Sequence, residues 1–378
     1  MNKSIDYRQP DFRFSGFDKF YRAMLETNDV SPDMAVERWI ADEKNFTFEQ
    51  RCSQALFHGL TYDGPSEMVL SHEFPTINVK SIRKLNDFYL SNKTETNNRF
   101  RTLPPDSNKR WYIHKARLAS FEALEKLVAP HKTFGKFIEA QISEKNTPVE
   151  NYQSLLKAVS PTDDIDIWQV SRRMGTWCFL EALSRFTDIP IEPPNMWFGS
   201  EGKNHTAGWA WATNRDDIVD RLINEEKIPY ADIESMELAA KTYLDRLKIS
   251  HPELKNIGTF TLETCCCNYF KAAVKGTHFN LCYIQEQHDV TKIAESIWTD
   301  HQWLWDLYWK GRQATIPATM LYENYQKVGD AYVKNWRKGP LSFKETGRMI
   351  AVDHYENGQP LPWPVQDSWS LADFLENA

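Results

Sequence analysis

No stretch of this chain is apolar for long enough to cross a bilayer, no Cys-x-x-Cys pair occurs, and no segment repeats another or falls into low complexity. Each absence removes a class of protein. A spanning helix needs about 20 consecutive apolar residues, so membrane residence is not expected. The opening Met1-Asn2-Lys3-Ser4-Ile5-Asp6-Tyr7-Arg8 has none of the apolar core of a secretory signal, and a cytosolic protein is expected. Six cysteines include the consecutive Cys265, Cys266 and Cys267. Neighbours on a helix point in different directions, so the thiols should be reduced and not a disulfide framework. A zinc set drawn from Cys265 or Cys267, His278, Cys282 and His288 has no Cys-x-x-Cys pair to anchor it, and neither a metal site nor a cofactor is expected.

What the chain does have is helical signal from end to end. With 378 residues and 41% apolar content it can build a large core. Pro32 opens a helix behind Ser31, and Thr47-x-x-Gln50 reads as a capping box for the next one. Further helices are expected at about 80–90, 112–129, 133–143, 149–158, 166–187, 215–224, 233–248, 261–275, 289–298 and 319–336. Strand-like alternation is scarce, with short extended pieces expected only around 278–284 and 348–355. The fold class is therefore mostly α. An N-terminal helical portion is assigned to 1–130, a catalytic helical core to 131–312 and a tail packed on that core to 313–378.

The net charge of −7 argues against indiscriminate coating of nucleic acid, but the charges are unevenly spread. Between Asn78 and Arg117, ten basic residues face only Asp87, Glu95 and Asp106. Phe100, Trp111 and Tyr112 interleave with Arg99, Arg101, Lys109 and Arg110, as a surface that holds phosphates and stacks on bases requires. A solvated helix pair is the plainer account of the charge alone.

Two carboxylates fall on apolar helix faces. At 100° per residue, Glu263 lies with Cys267, Phe270 and Val274 and with Lys271 at its edge, while Glu181 lies among Val170, Met174, Trp177 and Arg185. An unpartnered buried charge is costly, so such placements call for a reason. On spacing alone the structural reasons lead: an i,i+4 ion pair of Glu181 with Arg185, and a first-turn, dipole-favoured carboxylate at Glu263 behind an N-cap at Thr261 or Thr259.

The wording of the same stretches tips that balance. Arg173-Met174-Gly175-x-Trp177-x-x-x-Glu181, followed by Leu262-Glu263-Thr264-x-x-Cys267-x-x-x-Lys271, resembles the phage amino acid:DNA transferases and the related α-glutamyl/putrescinyl-thymine pyrophosphorylases. The block from Phe17-Asp18-Lys19-Phe20-Tyr21-Arg22 through Gln54-Ala55-Leu56-Phe57-His58-Gly59 is similar to theirs, as is Asp306-Leu307-Tyr308-Trp309-Lys310-Gly311-Arg312. The order of the blocks, over most of 17–312, carries the resemblance. It implies kinship to helical DNA glycosylase folds and work in the cytoplasm of a phage-infected host cell. The partners it implies are double-stranded DNA bearing 5-hydroxymethyluracil activated by phosphate or pyrophosphate, and an amino acid or polyamine whose amine displaces that group to give a hypermodified thymine. One departure, Gly276-Thr277-His278-Phe279-Asn280-Leu281-Cys282-Tyr283, stands where an Arg-rich, Tyr-Gly-containing continuation is expected, and it leaves the amine unnamed.

That chemistry assigns roles. Glu263 and Glu181 serve as bases; Arg172, Arg173 and Lys271 hold the leaving oxygens. Trp177 and Cys267 line the substrate site. The segment from Trp197 to Trp209, read as a glycine-rich loop that lets backbone approach a ligand, offers Lys203, Asn204 and His205 as donors. Arg99, Arg101, Lys109 and Arg110 contact DNA. The alternatives are a glycosylase-like base-excising enzyme and a non-catalytic DNA-binding protein that uses only the basic segment.

Overall fold

A computed structural model of the protein describes residues 5–62, 64–92, 99, 113–160, 167–168, 172–199, 203–278, 280–321 and 342–359. Every regular element among them is a helix. In chain order these are α1 (Pro10–Glu26), α2 (Pro32–Glu43), α3 (Phe48–Thr61), α4 (Gly64–Glu73), α5 (Val79–Ser91), α6 (Ile113–Val128), α7 (Phe134–Gln141), α8 (Pro148–Val159) and α9 (Arg172–Thr187). They continue with α10 (Lys203–Ala212), α11 (Asp216–Ile223), α12 (Tyr230–Ser250), α13 (Thr259–Phe270), α14 (Tyr283–Ile297), α15 (Gln302–Thr315), α16 (Phe343–Thr346) and α17 (Ile350–Glu356). None of the described helices is long and apolar enough to cross a membrane.

Local chemistry accounts for several boundaries. The Thr47–Gln50 capping box is formed, with the Thr47 hydroxyl accepting from the Gln50 N–H at 3.3 Å and the Gln50 side-chain Oε1 accepting from the Thr47 N–H at 2.9 Å. Equivalent boxes start α5 at Asn78 and α8 at Thr147. The expected extended pieces are not formed. Residues 283 and 284 already open α14, and the segment 350–356 is α17, where Ala351 and Val352 are both buried side by side. Adjacent buried residues fit a helical stripe and break the alternation that a half-buried strand would need.

The chain forms two compact units, neither contiguous: one of Met1–Pro32, Pro194–Gln285 and Ile316–Ala378, the other of Asp33–Pro193 and Glu286–Thr315. In the first, Phe17, Phe20 and Tyr21 of α1 pack with Trp209 and Trp211 of α10 and Tyr269 of α13 in one aromatic core. In the second, α3 and α9 lie so close that a Cβ on Gly59 would come within 2.9 Å of the Gly175 carbonyl oxygen and 2.7 Å of Phe179 Cβ. The glycines of the His58-Gly59 and Met174-Gly175 blocks thus stand at a helix contact. Trp298 and Trp305 are fully buried in this unit, while Trp303 is exposed beside His72.

Candidate active site

In the first unit, α10 and α13 pack face to face because Gly208 has no side chain. A Cβ there would sit 1.9 Å from the Cys266 carbonyl oxygen. The stretch expected as a loop reaching toward a ligand is therefore a helix from Lys203 onward, and the close backbone approach that Gly208 permits is to α13. Glycine content suggested a loop; tertiary packing decided for helix.

This contact brings two predicted sets together. From α13 and its extension come Glu263, Cys267 and Lys271, spaced four residues apart; from the first turn of α10 come Asn204 and His205. His205 Nδ1 is 3.3 Å from Glu263 Oε1. Burial pushes the Cys267 thiol up, and the neighbouring Lys271 ammonium and Asn204 offset part of that rise. Lys275 donates to Asn204 Oδ1 at 2.8 Å. Lys203, in contrast, turns to Glu225 at 2.9 Å on the exposed surface.

Glu263 is not a first-turn carboxylate. Gly258 is the N-cap, the helix starts at Thr259, and its first turn holds no acidic residue. The Thr261 hydroxyl, one of the expected caps, instead accepts from the Gly258 N–H at 3.3 Å and donates to the Asn256 carbonyl at 2.8 Å. Beyond Phe270 the helix widens to a π-turn over Lys271–Lys275, closed by Gly276 at φ 65°. Such turns are rare and are frequently found at functional sites.

Two supports have no obvious sequence signal. The Glu237 carboxylate on α12 accepts from the backbone N–H groups of Met196 at 2.7 Å and Phe198 at 2.8 Å. Burial pushes this carboxyl up, and those backbone donors oppose the rise. The Phe198 ring stacks on His205, centroids 5.8 Å apart, and so fixes the plane of the imidazole beside Glu263. Lys275 could have been found from sequence, since it continues the four-residue spacing of 263, 267 and 271.

Cys265 and Cys266 are fully buried, and burial pushes both thiols well up, so they act as core residues.

The other predicted residues belong to the second unit. Glu181 is buried and pairs with Arg185, Nη2 to Oε1 2.9 Å, which is the i,i+4 contact of its structural reading. Trp177 is buried on the same helix. Arg172 and Arg173 occupy the first turn of α9, with side chains outside the described residues. Of the DNA-contact candidates, Arg101, Lys109 and Arg110 lie outside the described residues. Arg99 pairs with Asp300 and lies over the Trp298 ring at 3.9 Å, and this pairing lowers the Asp300 carboxyl to about 2.

Neither a curated protein nor a solved structure matches the chain. A family model described as amino acid:DNA transferase matches residues 13–277, which include the Glu181 block and the whole Glu263–Lys271 stretch. The chain belongs to the amino acid:DNA transferase family.

Proposed function

We propose that the protein acts on DNA whose 5-hydroxymethyluracil carries phosphate or pyrophosphate on the exocyclic methylene, and joins the amine of an amino acid or polyamine to that carbon. The setting we infer is the cytoplasm of a phage-infected bacterium. The observation that carries the reading is the cluster of Glu263, His205, Cys267 and Lys271 on the facing surfaces of α10 and α13, within the family match.

The chemistry needs one proton removed and one anion released. Glu263 takes a proton from the incoming ammonium, and the freed nitrogen lone pair forms the new C–N bond. The C–O bond breaks with its electron pair on the departing phosphate or pyrophosphate, which can accept the proton from Glu263. The product nitrogen keeps its remaining protons as a secondary ammonium. His205, held by Phe198, orients the Glu263 carboxylate. Lys271, with Lys275 one turn on, supplies positive charge where it builds on the leaving oxygens, an interaction stronger in the transition state than in the ground state. Arg172 and Arg173 are proposed as further partners of the activated nucleotide, Trp177 as part of its pocket and the 78–117 segment as the holder of the DNA backbone. Glu181 is proposed as the base only if its Arg185 pair proves dispensable.

The test incubates the full-length protein with DNA containing phosphorylated or pyrophosphorylated 5-hydroxymethyluracil and a pool of amino acids and polyamines, then reads the released nucleosides by mass spectrometry. The expected result is a nucleoside heavier by one amine, with stoichiometric phosphate or pyrophosphate release. Release of free base in place of an adduct would point to the excising alternative.

A further inference from the structure

The second unit buries several carboxylates close together. Glu37 and Glu67 are fully buried, and His58 and Asp33 nearly so. They converge where α2, α3 and α4 meet: His58 Nδ1 is 2.6 Å from Glu67 Oε2 and 3.8 Å from Glu37 Oε2. A Cβ on Gly64 would stand 2.8 Å from both Asp33 Oδ1 and Glu37 Oε1, so these two carboxylates face one point.

Around them runs a short donor chain. The buried Arg312 donates from Nη1 to Gln287 Oε1, Gln287 Nε2 donates to the Tyr308 hydroxyl at 3.3 Å, and that hydroxyl donates to Asp33 Oδ1 at 2.8 Å. The donor chain reaches the acidic group at Asp33. Glu67 Oε1 and the side-chain oxygen Oε1 of Gln54, one turn before His58 on α3, are buried with no hydrogen-bond donor. A buried acceptor without a donor is costly.

We propose that Glu37, His58 and Glu67 bind a divalent transition-metal ion, zinc or manganese in class, that staples α2, α3 and α4 together. Ligand atoms of the three residues all lie within 4.8 Å of one another. A tetrahedral ion with bonds of about 2.0–2.1 Å sets its ligands roughly 3.3 Å apart, and the two His58 separations of 2.6 and 3.8 Å bracket that value. Mixed imidazole and carboxylate donors suit zinc or manganese. The charges close as well: three carboxylates from Asp33, Glu37 and Glu67 are balanced by Arg312 and one divalent ion, with His58 neutral as a metal ligand must be. The depth of the site makes the role structural, with the ion taken up during folding. It is independent of the transfer chemistry argued for Glu263.

The experiment uses the full chain, carried on a tag that binds no metal, from cells grown with zinc, manganese, iron and nickel and purified without chelator. Elemental analysis should find about one equivalent of one divalent ion per chain, retained through dialysis, and Glu67→Gln should lower it at least about tenfold. In parallel, wild-type protein unfolded in guanidinium with EDTA should regain its original Tm only when zinc or manganese is returned. Less than about 0.1 equivalent in the wild type, with full refolding in EDTA, would overturn the proposal and leave a cluster held by shared protons. Metal retained at full stoichiometry by Glu67→Gln would overturn it too. Should Glu67→Gln fail to fold, the wild-type content and refolding arms decide alone.

Discussion

His205 Nδ1 and Glu263 Oε1 stand 3.3 Å apart, the first on the opening turn of α10 and the second five residues into α13. The imidazole is stacked on Phe198, so its edge has little freedom to turn from the carboxylate. The relationship has the form of a base and its orienting partner, in which the orienter tunes and the base reacts.

Glu263→Gln keeps shape and removes the base, so transfer should be abolished while DNA affinity stays near wild type. His205→Asn should lower kcat by roughly 10–100-fold, the lower part of the range for losing general-base efficiency, and shift the pH profile of transfer. Rapid-quench assays with DNA-binding titrations check both. A fully active Glu263→Gln would reduce this residue to a structural carboxylate.

Glu181→Gln should act mainly on stability. It strips a partly buried Arg185 of its anionic partner, a loss on the order of 1–3 kcal/mol for a poorly satisfied polar group. Thermal melts should show the drop, and turnover below the new Tm should stay close to wild type. Loss of turnover with an unchanged melt would restore Glu181 as a base.

Gly208→Ala replaces a hydrogen with a methyl 1.9 Å from a backbone oxygen that cannot swing aside. The two helices must separate, at about 1–3 kcal/mol typical of overpacking, despite the better helix propensity of alanine. Because the same contact seats His205 against Glu263, transfer activity should fall beyond what the lowered Tm explains.

Lys271→Ala should slow product formation on activated DNA by about 10²–10³-fold, as removal of one preorganised electrostatic partner does, with little change in binding to unmodified DNA. Arg172→Ala and Arg173→Ala measured beside it test whether they share the leaving group. Lys203→Ala is the control: with its ammonium on Glu225, the expected change is small. Equal loss of affinity for activated and unmodified DNA would mean that these cations grip the backbone.

Neutralising Arg101, Lys109 and Arg110 together should weaken duplex binding and flatten its salt dependence by about 0.9 per lost phosphate contact. Arg99→Ala should lower the Tm more than the salt slope, since Arg99 already holds Asp300 and covers Trp298. Fluorescence anisotropy across a salt series, with melts, separates the two. An unchanged slope in the triple variant would move the DNA-binding face elsewhere.

Much of the architecture was legible along the chain. Capping at Thr47, the apolar stripes of α5, α8 and α12, and the side shared by Glu263, Cys267 and Lys271 are local consequences of side-chain spacing and hydrogen bonding. Other features resisted because their signals are weak or misleading. The burial of α4 is nearly continuous and includes the polar Ser66, Glu67 and Ser71, so no one-sided apolar stripe marks it, and the glycine-rich wording before Trp209 reads as loop.

The sequence by itself determined the helical class, the family and the register that lines up Glu263, Cys267 and Lys271, because period, caps and block order are properties of neighbouring residues. Only the tertiary structure decided what faces that register. The packing of Gly208 on Cys266 brings in His205, and the reach of Glu237 across to Met196 and Phe198 holds it. The same holds for the division into two discontinuous units and for the meeting of Glu37, His58 and Glu67. These are contacts between residues far apart in the chain, selected by burial and close packing, and no local pattern encodes them.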